Sequence, residues 1–155
     1  MSTPMSAPQD PGGLSDVGSR LAFFKNLQTV TNKIHATSNL DEIMLELSQE
    51  VCTLFNADRL TIYSVGEDKA SIVSKVKTGL NSFKDLKLPI AEQSIAGYVA
   101  FNKKLLNLKD VYDESELAAH SAQLRFLPDV DKRTGYRTKQ MLVAPIVETD
   151  SGELI

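Results

Sequence analysis

Two short stretches of the chain have residue types and spacing that could hold a small anionic ligand. The first is Ser-Ile-Ala-Gly at residues 94–97, at the start of a short helix predicted over residues 93–100. Its mostly small side chains would let a ligand approach the backbone, and the unpaired amides at a helix start favour an anion such as phosphate. The alternative is that these small residues only permit tight packing.

The second stretch carries a carboxylate and two hydroxyls. Asp131, Thr134 and Thr138 are spaced three and four residues apart, so on a helical turn they would lie along one face. These groups can accept and donate hydrogen bonds to a small polar ligand. The alternative makes Asp131 a helix cap and Thr134-Gly135 the end of that helix.

The sequence offers little material for catalysis, which needs a base near a nucleophile or substrate. His35 and His120 are its two histidines, and neither belongs to a recognised catalytic constellation. Its single cysteine, Cys52, is predicted near the apolar side of a helix, where a buried thiol behaves as a small hydrophobe. Phosphate loops, dinucleotide fingerprints and metal-ligand pairs at helical spacing are absent from the sequence. We therefore expect a binding protein, not an enzyme, with no metal.

Composition is typical of a globular domain. The chain has 155 residues, 17 basic against 20 acidic, a formal net charge of −3 and 42% hydrophobic residues. This weakly acidic balance provides no general attraction for nucleic acid. No apolar run approaches the roughly 20 residues of a membrane-spanning helix, and the N-terminus does not resemble a signal peptide. We expect a cytoplasmic protein with no nucleic-acid partner and no membrane insertion.

The part of the chain that precedes the two stretches is predicted to contain a leader and two helices. Residues 1–15 are rich in proline and glycine and are predicted to form a disordered leader. A helix is predicted over residues 16–36 from apolar residues at intervals of four, three and four: Phe23, Leu27, Val30 and Ile34. That narrow stripe resembles a coiled-coil seam and is suited to packing either against a helix of a second copy of the chain or against its own domain. A second helix, residues 40–56, begins at a capping motif and has a wide apolar face.

Strands are predicted from alternating apolar and polar residues. They are residues 59–65, 71–76, 105–108 and 140–147, with another beginning at residue 153. The polar segment at residues 111–137 lies between strands, where a long connection is more often functional than idle. This order predicts an α+β fold in which helices pack on one face of an antiparallel sheet.

Six segments, taken in order, resemble the GAF domain. They are residues 40–43 (LDEI), 57–63 (ADRLTIY), 94–100 (SIAGYVA), 106–112 (LNLKDVY), 134–138 (TGYRT) and 141–146 (MLVAPI). The IAG helix followed by the TGYRT stretch is the form found in GAF domains of cyclic nucleotide phosphodiesterases and cyclases. Residues 87–97 (KLPIAEQSIAG) also resemble GAF domains placed ahead of bacterial type II secretion or type IV pilus ATPases.

The resemblance implies a six-stranded antiparallel sheet, a helical bundle on one side that carries a dimer contact, and a ligand pocket closed on the other side by loops and short helices. The ligand it implies is cyclic AMP or cyclic GMP. The cyclic phosphate would meet the backbone at Ile95 and Ala96, under a lid formed by residues 129–138. The residues predicted to bind the ligand are Ser94, Ile95, Ala96, Asp131, Thr134, Tyr136 and Thr138.

Some features depart from the family pattern. Leu127 stands where many nucleotide-binding members have a polar or aromatic residue, and a longer polar stretch, residues 114–123, precedes it. The position of Cys52 argues against a covalently bound bilin.

The resemblance also implies a domain at residues 16–155 that lacks the family's final strand and closing helix. The expected function is a regulatory sensor that forms a homodimer through the helix at residues 16–36 and signals to an attached effector domain. The competing hypothesis is a ligand-free dimerisation or protein-interaction domain of a larger signalling protein or secretion ATPase.

Overall fold

The computed structural model of the chain describes residues 12–77 and 83–155. These residues belong to two compact units, 1–61 and 62–155. The first holds helices α1 (Gly12–Ala36), α2 (Leu40–Leu45) and α3 (Ser48–Phe55). The second holds β1 (Ser64–Val65), β2 (Ser71–Lys77), β3 (Phe83–Pro89), α4 (Ile95–Asn102), β4 (Leu106–Leu108), α5 (Glu114–His120), α6 (Asp129–Thr134) and β5 (Met141–Val143). Across the described ranges, no helix has the length and apolar character needed to cross a membrane.

In the first unit, the predicted stripe of α1 faces α3 of the same chain. Val30 is buried, and the rings of Phe23 and Phe55 meet edge to face with centroids 6.0 Å apart. Lys33 Nζ lies 2.8 Å from a carboxylate oxygen of Glu50. The helix begins at Gly12, four residues before the predicted start, while residues 1–11 of the predicted leader lie outside the described residues.

The single helix predicted over residues 40–56 is wrong, because two helices, α2 and α3, occupy this range. Asn39 caps α2 by accepting a hydrogen bond from the Asp41 amide at 3.0 Å. At the break, the Ser48 hydroxyl donates to the Leu45 carbonyl at 3.2 Å, and Leu47 buries its side chain. A serine hydroxyl that takes a backbone carbonyl competes with the regular helical bonds, which accounts for the interruption.

The strands of the second unit form two antiparallel sheets in the part of the chain that the structure describes. One has the order β1-β2-β3, with Ser71 opposite Pro89, and the other pairs β4 with β5. Helix α4 contacts β2, β3 and β5. Past β5, an antiparallel bridge joins Val147 to Leu154.

The predicted α+β class with antiparallel strands is confirmed, whereas a single six-stranded sheet stays a prediction. Strand β3 was missed, although Leu86 and Leu88 alternate with the exposed Asp85 and Lys87. The strands predicted at residues 59–65 and 140–147 are shorter in the structure.

A hydrophobic core lies under the polar segment of the second unit. Leu108, Val111 and Leu124 have no exposed surface, so β4 and the two segments that follow it close over α4. Tyr98 and Phe126 pack against this core from its edge. Among the candidate binding residues, Ile95 belongs to this core.

Candidate functional site

The start of α4 is built by a serine cap and a close approach of two backbones. The Ser94 hydroxyl accepts a hydrogen bond from the Gly97 amide at 3.1 Å, and Ser94 is 8% exposed. A Cβ atom at Gly97 would lie 2.5 Å from the Pro89 carbonyl oxygen and 2.7 Å from that of Ala91. Only glycine fits against this backbone, so the small residue at position 97 has a packing role.

The three residues predicted at the phosphate end of the ligand differ in accessibility. Ser94 and Ile95 are buried, and Ile95 belongs to the core cluster. Ser94 forms a parallel bridge with Arg125, whose amide donates to the Gln93 carbonyl at 3.0 Å. Ala96 is only partly buried, so it is the most accessible of the three.

Asp131 lies in α6 as a buried carboxylate, 6% exposed, that accepts three hydrogen bonds. Its Oδ2 atom accepts from the Tyr112 hydroxyl and from the Thr138 amide, each at 2.7 Å. Its Oδ1 atom accepts from the Thr138 hydroxyl at 2.7 Å. The structure therefore brings Asp131 and Thr138 into direct contact and adds Tyr112, which the sequence did not indicate.

Thr134 does not join this group. Its hydroxyl donates to the Val130 carbonyl at 2.8 Å and accepts a longer hydrogen bond from the Tyr136 amide at 3.4 Å. Gly135, at φ +72°, ends α6 in the left-handed conformation that glycine favours. The expectation that the three residues share one helix face is therefore wrong, because Thr138 lies beyond the helix end and reaches Asp131 through the turn.

The alternative interpretation of this stretch is correct in one respect. The helix does end at Thr134-Gly135, but Asp131 lies in its first turn and the cap position is Pro128, which makes no side-chain capping bond. Tyr136 follows the turn with its side chain half-buried.

A second cluster missed by sequence reasoning lies beside Asp131. The Arg137 guanidinium donates to both carboxylate oxygens of Asp110, at 3.1 and 2.9 Å, and its carbon lies 4.7 Å from the centre of the Tyr112 ring. The same ring meets Phe126 edge to face at 5.1 Å. Asp110 and Arg137 are 27 residues apart, and no spacing rule links residues at that distance.

Charge and hydrogen bonding set the protonation of these groups. The hydrogen bond to Asp131, followed by partial desolvation, raises the pKa of Tyr112 above its usual value. The Arg137 guanidinium lowers the pKa of Asp110, and Asp110 raises the pKa of Arg137 in return. At neutral pH, Tyr112 is therefore a hydrogen-bond donor, and Asp110 and Arg137 form an ion pair.

A chain of contacts connects the start of α4 to the Asp131 group. Ser94 bridges to Arg125, and the ring of Phe126, the next residue, meets the ring of Tyr112 edge to face. Tyr112 in turn donates to Asp131. The two stretches singled out in the sequence thus belong to one unit and are linked through Arg125, Phe126 and Tyr112. Within the described ranges, no group of three metal-ligating side chains is present.

The first unit has a groove of its own, about 570 Å³ in volume, between α1 and α3. Apolar and polar side chains line it, among them Phe23, Val30, Glu50 and Thr53. None of the predicted ligand-binding residues lies there.

No family model matches the chain. Over 153 residues it is 29% identical to the dual 3',5'-cyclic-AMP and -GMP phosphodiesterase 11A of Takifugu rubripes, a match that covers 92% of this chain and 15% of that protein. Over 132 residues it is 26% identical to the probable 3',5'-cyclic phosphodiesterase pde-5 of Caenorhabditis elegans, covering 78% of this chain and 17% of that one.

The chain is similar to one segment of these phosphodiesterases. It spans less than a fifth of the length of either relative. Both relatives favour the phosphodiesterase form of the resemblance over the secretion-ATPase form.

Proposed function

We propose that this chain is a GAF-type regulatory domain that senses a cyclic nucleotide and has no catalytic activity of its own. The observation that carries the proposal is the extent of the similarity. It covers most of this chain but only 15% and 17% of two enzymes named for 3',5'-cyclic nucleotides. A segment of that proportion fits a regulatory part of a longer, cytoplasmic protein better than its catalytic part. In that setting the domain has the six-stranded sheet of the GAF family and signals to an attached effector.

The site geometry suggests how the predicted residues divide their roles. The cyclic phosphate meets the backbone at Ala96 and Ile95 at the start of α4, capped by Ser94. In this proposal Thr134 and Tyr136 line the ligand from residues 129–138, and the Thr134 hydroxyl, which already donates to the Val130 carbonyl, meets the ligand as an acceptor. Asp131 and Thr138 act by holding that segment in place, because their polar groups already bond to each other.

Thermal unfolding with and without millimolar cyclic AMP or cyclic GMP tests this proposal, with 5'-AMP as the control nucleotide. A ligand present at about 100 times its dissociation constant stabilises the folded state by about 2.7 kcal/mol, a shift of several degrees. Equal behaviour with all three nucleotides would contradict nucleotide sensing. Turnover of cyclic AMP that Asp131→Asn abolishes would contradict the absence of catalysis.

A pair of threonine variants locates the binding site. Thr134→Val should reduce the nucleotide-induced shift, because it removes a hydroxyl that faces the ligand in this proposal. Thr29→Val on α1 is the matched control and should keep the shift. The Thr29 hydroxyl is also exposed and also donates to a carbonyl four residues earlier, that of Lys25 at 3.0 Å. Equal shifts in the two variants would remove Thr134 from the proposed site.

A ligand-free dimerisation domain is the second candidate, and one observation favours it. Val17, Leu21 and Phe24 are 64%, 63% and 62% exposed on α1, at spacings of four and three. That is the spacing of a coiled-coil seam, and the other apolar stripe of α1 is already occupied by α3. In this candidate, α1 of a second copy covers the exposed stripe.

Analytical ultracentrifugation decides whether α1 forms a dimer. The native chain should sediment as a dimer at about 100 μM if an interface of ordinary affinity is present. Leu21→Lys should yield monomers. Asn26→Lys should leave the dimer intact, because Asn26 is exposed on the opposite side of α1 from this stripe. A native chain that is monomeric at this concentration excludes the dimer, and a dimer with no nucleotide-induced shift favours the second candidate over the first.

A further inference from the structure

Two segments of the second unit are joined mainly by polar contacts of five residues, which we call the latch: Asp110, Tyr112, Asp131, Arg137 and Thr138. We propose that the latch holds residues 127–138 against residues 109–112 and must open for a ligand of the proposed site to enter or leave, with Tyr112 as the residue that positions Asp131. The role in ligand entry rests on the proposed function.

One side of the latch is fixed to the core. Val111 lies between Asp110 and Tyr112 and has no exposed surface, and its amide donates to the Lys139 carbonyl at 2.9 Å. The Glu116 carboxylate accepts the amides of Lys109 and Asp110, at 2.8 and 3.1 Å. Residues 109–112 therefore cannot move without disturbing buried side chains and three hydrogen bonds.

The other side has little apolar burial to hold it. Leu127 is 52% exposed and Val130 is 39% exposed, and residues 132–135 are all exposed. Asp131 is the one residue of 127–138 that is buried. A segment with few buried apolar contacts opens at a free energy below that of global unfolding. The polar contacts of the latch must therefore provide much of the free energy that holds residues 127–138 in place.

The ends of this segment are anchored in different ways. Phe126 meets the Tyr112 ring edge to face and packs against the core, and the Lys139 carbonyl accepts a hydrogen bond from the Val111 amide. Between these anchors, Gly135 adopts φ +72°, and a Cβ atom placed there would meet nothing within 4 Å, so no neighbouring group packs against that side of the turn. In this proposal, residues 127–138 open about these two anchors.

Tyr112 makes the central contact of the latch. Its hydroxyl donates to the buried Asp131 carboxylate across the two segments, while its ring separately contacts Phe126 and Arg137. Tyr112→Phe thus removes one hydrogen bond and keeps both ring contacts. The Asp110–Arg137 ion pair is a second contact between the two segments, but it is partly exposed and contributes less to the stability of the closed latch.

Amide hydrogen exchange on the ligand-free protein tests the latch without any nucleotide. Tyr112→Phe should speed exchange at the Thr138 amide by about tenfold or more, the effect expected for losing one hydrogen bond to a charged group. The Tyr98 amide, bonded within the start of α4, should keep its rate. Tyr98→Phe is the matched control, because it removes a phenol hydroxyl that donates to the His120 carbonyl outside the latch. Unchanged exchange at Thr138 in Tyr112→Phe would overturn the proposal.

Stopped-flow binding of methylanthraniloyl-labelled cyclic AMP and cyclic GMP tests the role in ligand entry. A latch predicts that Tyr112→Phe raises the association and dissociation rate constants by similar factors, so that Kd changes less than about threefold. A rise in the dissociation rate alone would make Tyr112 a ligand contact and overturn its positioning role. If the native chain binds neither probe, both the proposed function and the role of the latch in ligand entry are wrong. The exchange experiment still decides whether the latch holds residues 127–138 in place.

Discussion

The Tyr112 hydroxyl lies 2.7 Å from Oδ2 of Asp131, a hydrogen bond between residues 19 positions apart. Asp131 is 6% exposed, and a buried carboxylate is costly unless it is hydrogen-bonded. Tyr112 and Thr138 provide that bonding, so α6, the turn after it and the segment after β4 form one polar unit. Four further properties of the chain follow from its contacts.

Asp131→Asn should destabilise the protein more than a neighbouring acid-to-amide change. In an asparagine, an NH2 group replaces one of the two acceptor oxygens, so either the Thr138 amide at Oδ2 loses its acceptor or the Thr138 hydroxyl at Oδ1 must turn from donor to acceptor, and every remaining bond is to a neutral group. We expect a loss of about 1.5–3 kcal/mol in the free energy of unfolding. Asp129→Asn is the control, because Asp129 is exposed in the same helix, and should cost at most about 1 kcal/mol. Equal losses in denaturant titrations would contradict the structural role of Asp131.

Asp110 should make stability depend on pH in the acid range. Arg137, and next the Tyr112 amide, lower the pKa of Asp110 in the folded state. Its contribution is therefore fully present above the unfolded-state pKa of about 3.9 and disappears as pH falls through the lower folded-state pKa. Native protein and Asp110→Asn should differ in unfolding free energy at pH 6 and converge below about pH 4. A difference that is constant down to about pH 2 would refute this linkage.

Gly97→Ala should be destabilising, while Gly18→Ala should stabilise. The Cβ at position 97 would meet two backbone carbonyls, which cannot move aside like a flexible side chain, and such overpacking costs about 1–3 kcal/mol. At Gly18, within α1, a Cβ meets nothing within 4 Å, and alanine in an exposed helix gains about 0.5–1 kcal/mol. Thermal melts of the two variants should shift in opposite directions, and an unchanged or raised melting temperature in Gly97→Ala would disprove the packing role of Gly97.

Cys52 should react slowly with thiol reagents in the folded protein. Its side chain is buried in α3, and burial, followed by the nearby Asp58, raises the pKa of the thiol. Both effects reduce the thiolate, which is the reactive form. Alkylation by iodoacetamide at about pH 8, near the pKa of a free thiol, should proceed much faster in denaturant than in buffer. Comparable rates would show that Cys52 is accessible in the folded state.

Local sequence information was sufficient for several features of the second unit. Alternation predicted β2, and the Thr134-Gly135 pair predicted the end of α6. The small-residue motif predicted α4 to within two residues at each end. These features depend on side chains within a few positions of one another, where capping, periodicity and turn preference act.

The break between α2 and α3 shows where local patterns fail. Leu47 continues the helical spacing of the apolar residues across the break, so periodicity alone predicts one helix. The interruption depends on a Ser48 hydroxyl bonded to the Leu45 carbonyl and on the burial of Leu47. Competition between a side chain and the backbone for one carbonyl is invisible to hydropathy.

The sequence by itself determined the α+β class and the end of α6 at Thr134-Gly135, and it singled out two stretches whose role in ligand binding stays a prediction. Only the tertiary structure decided that Tyr112 holds Asp131, that Arg137 pairs with Asp110, and that Thr134 stands apart. Contacts across 19 and 27 residues depend on the path the chain takes between them through α5 and the following loop. That path is set by burying Val111, Leu117 and Leu124 in a shared core, a condition that no local spacing encodes.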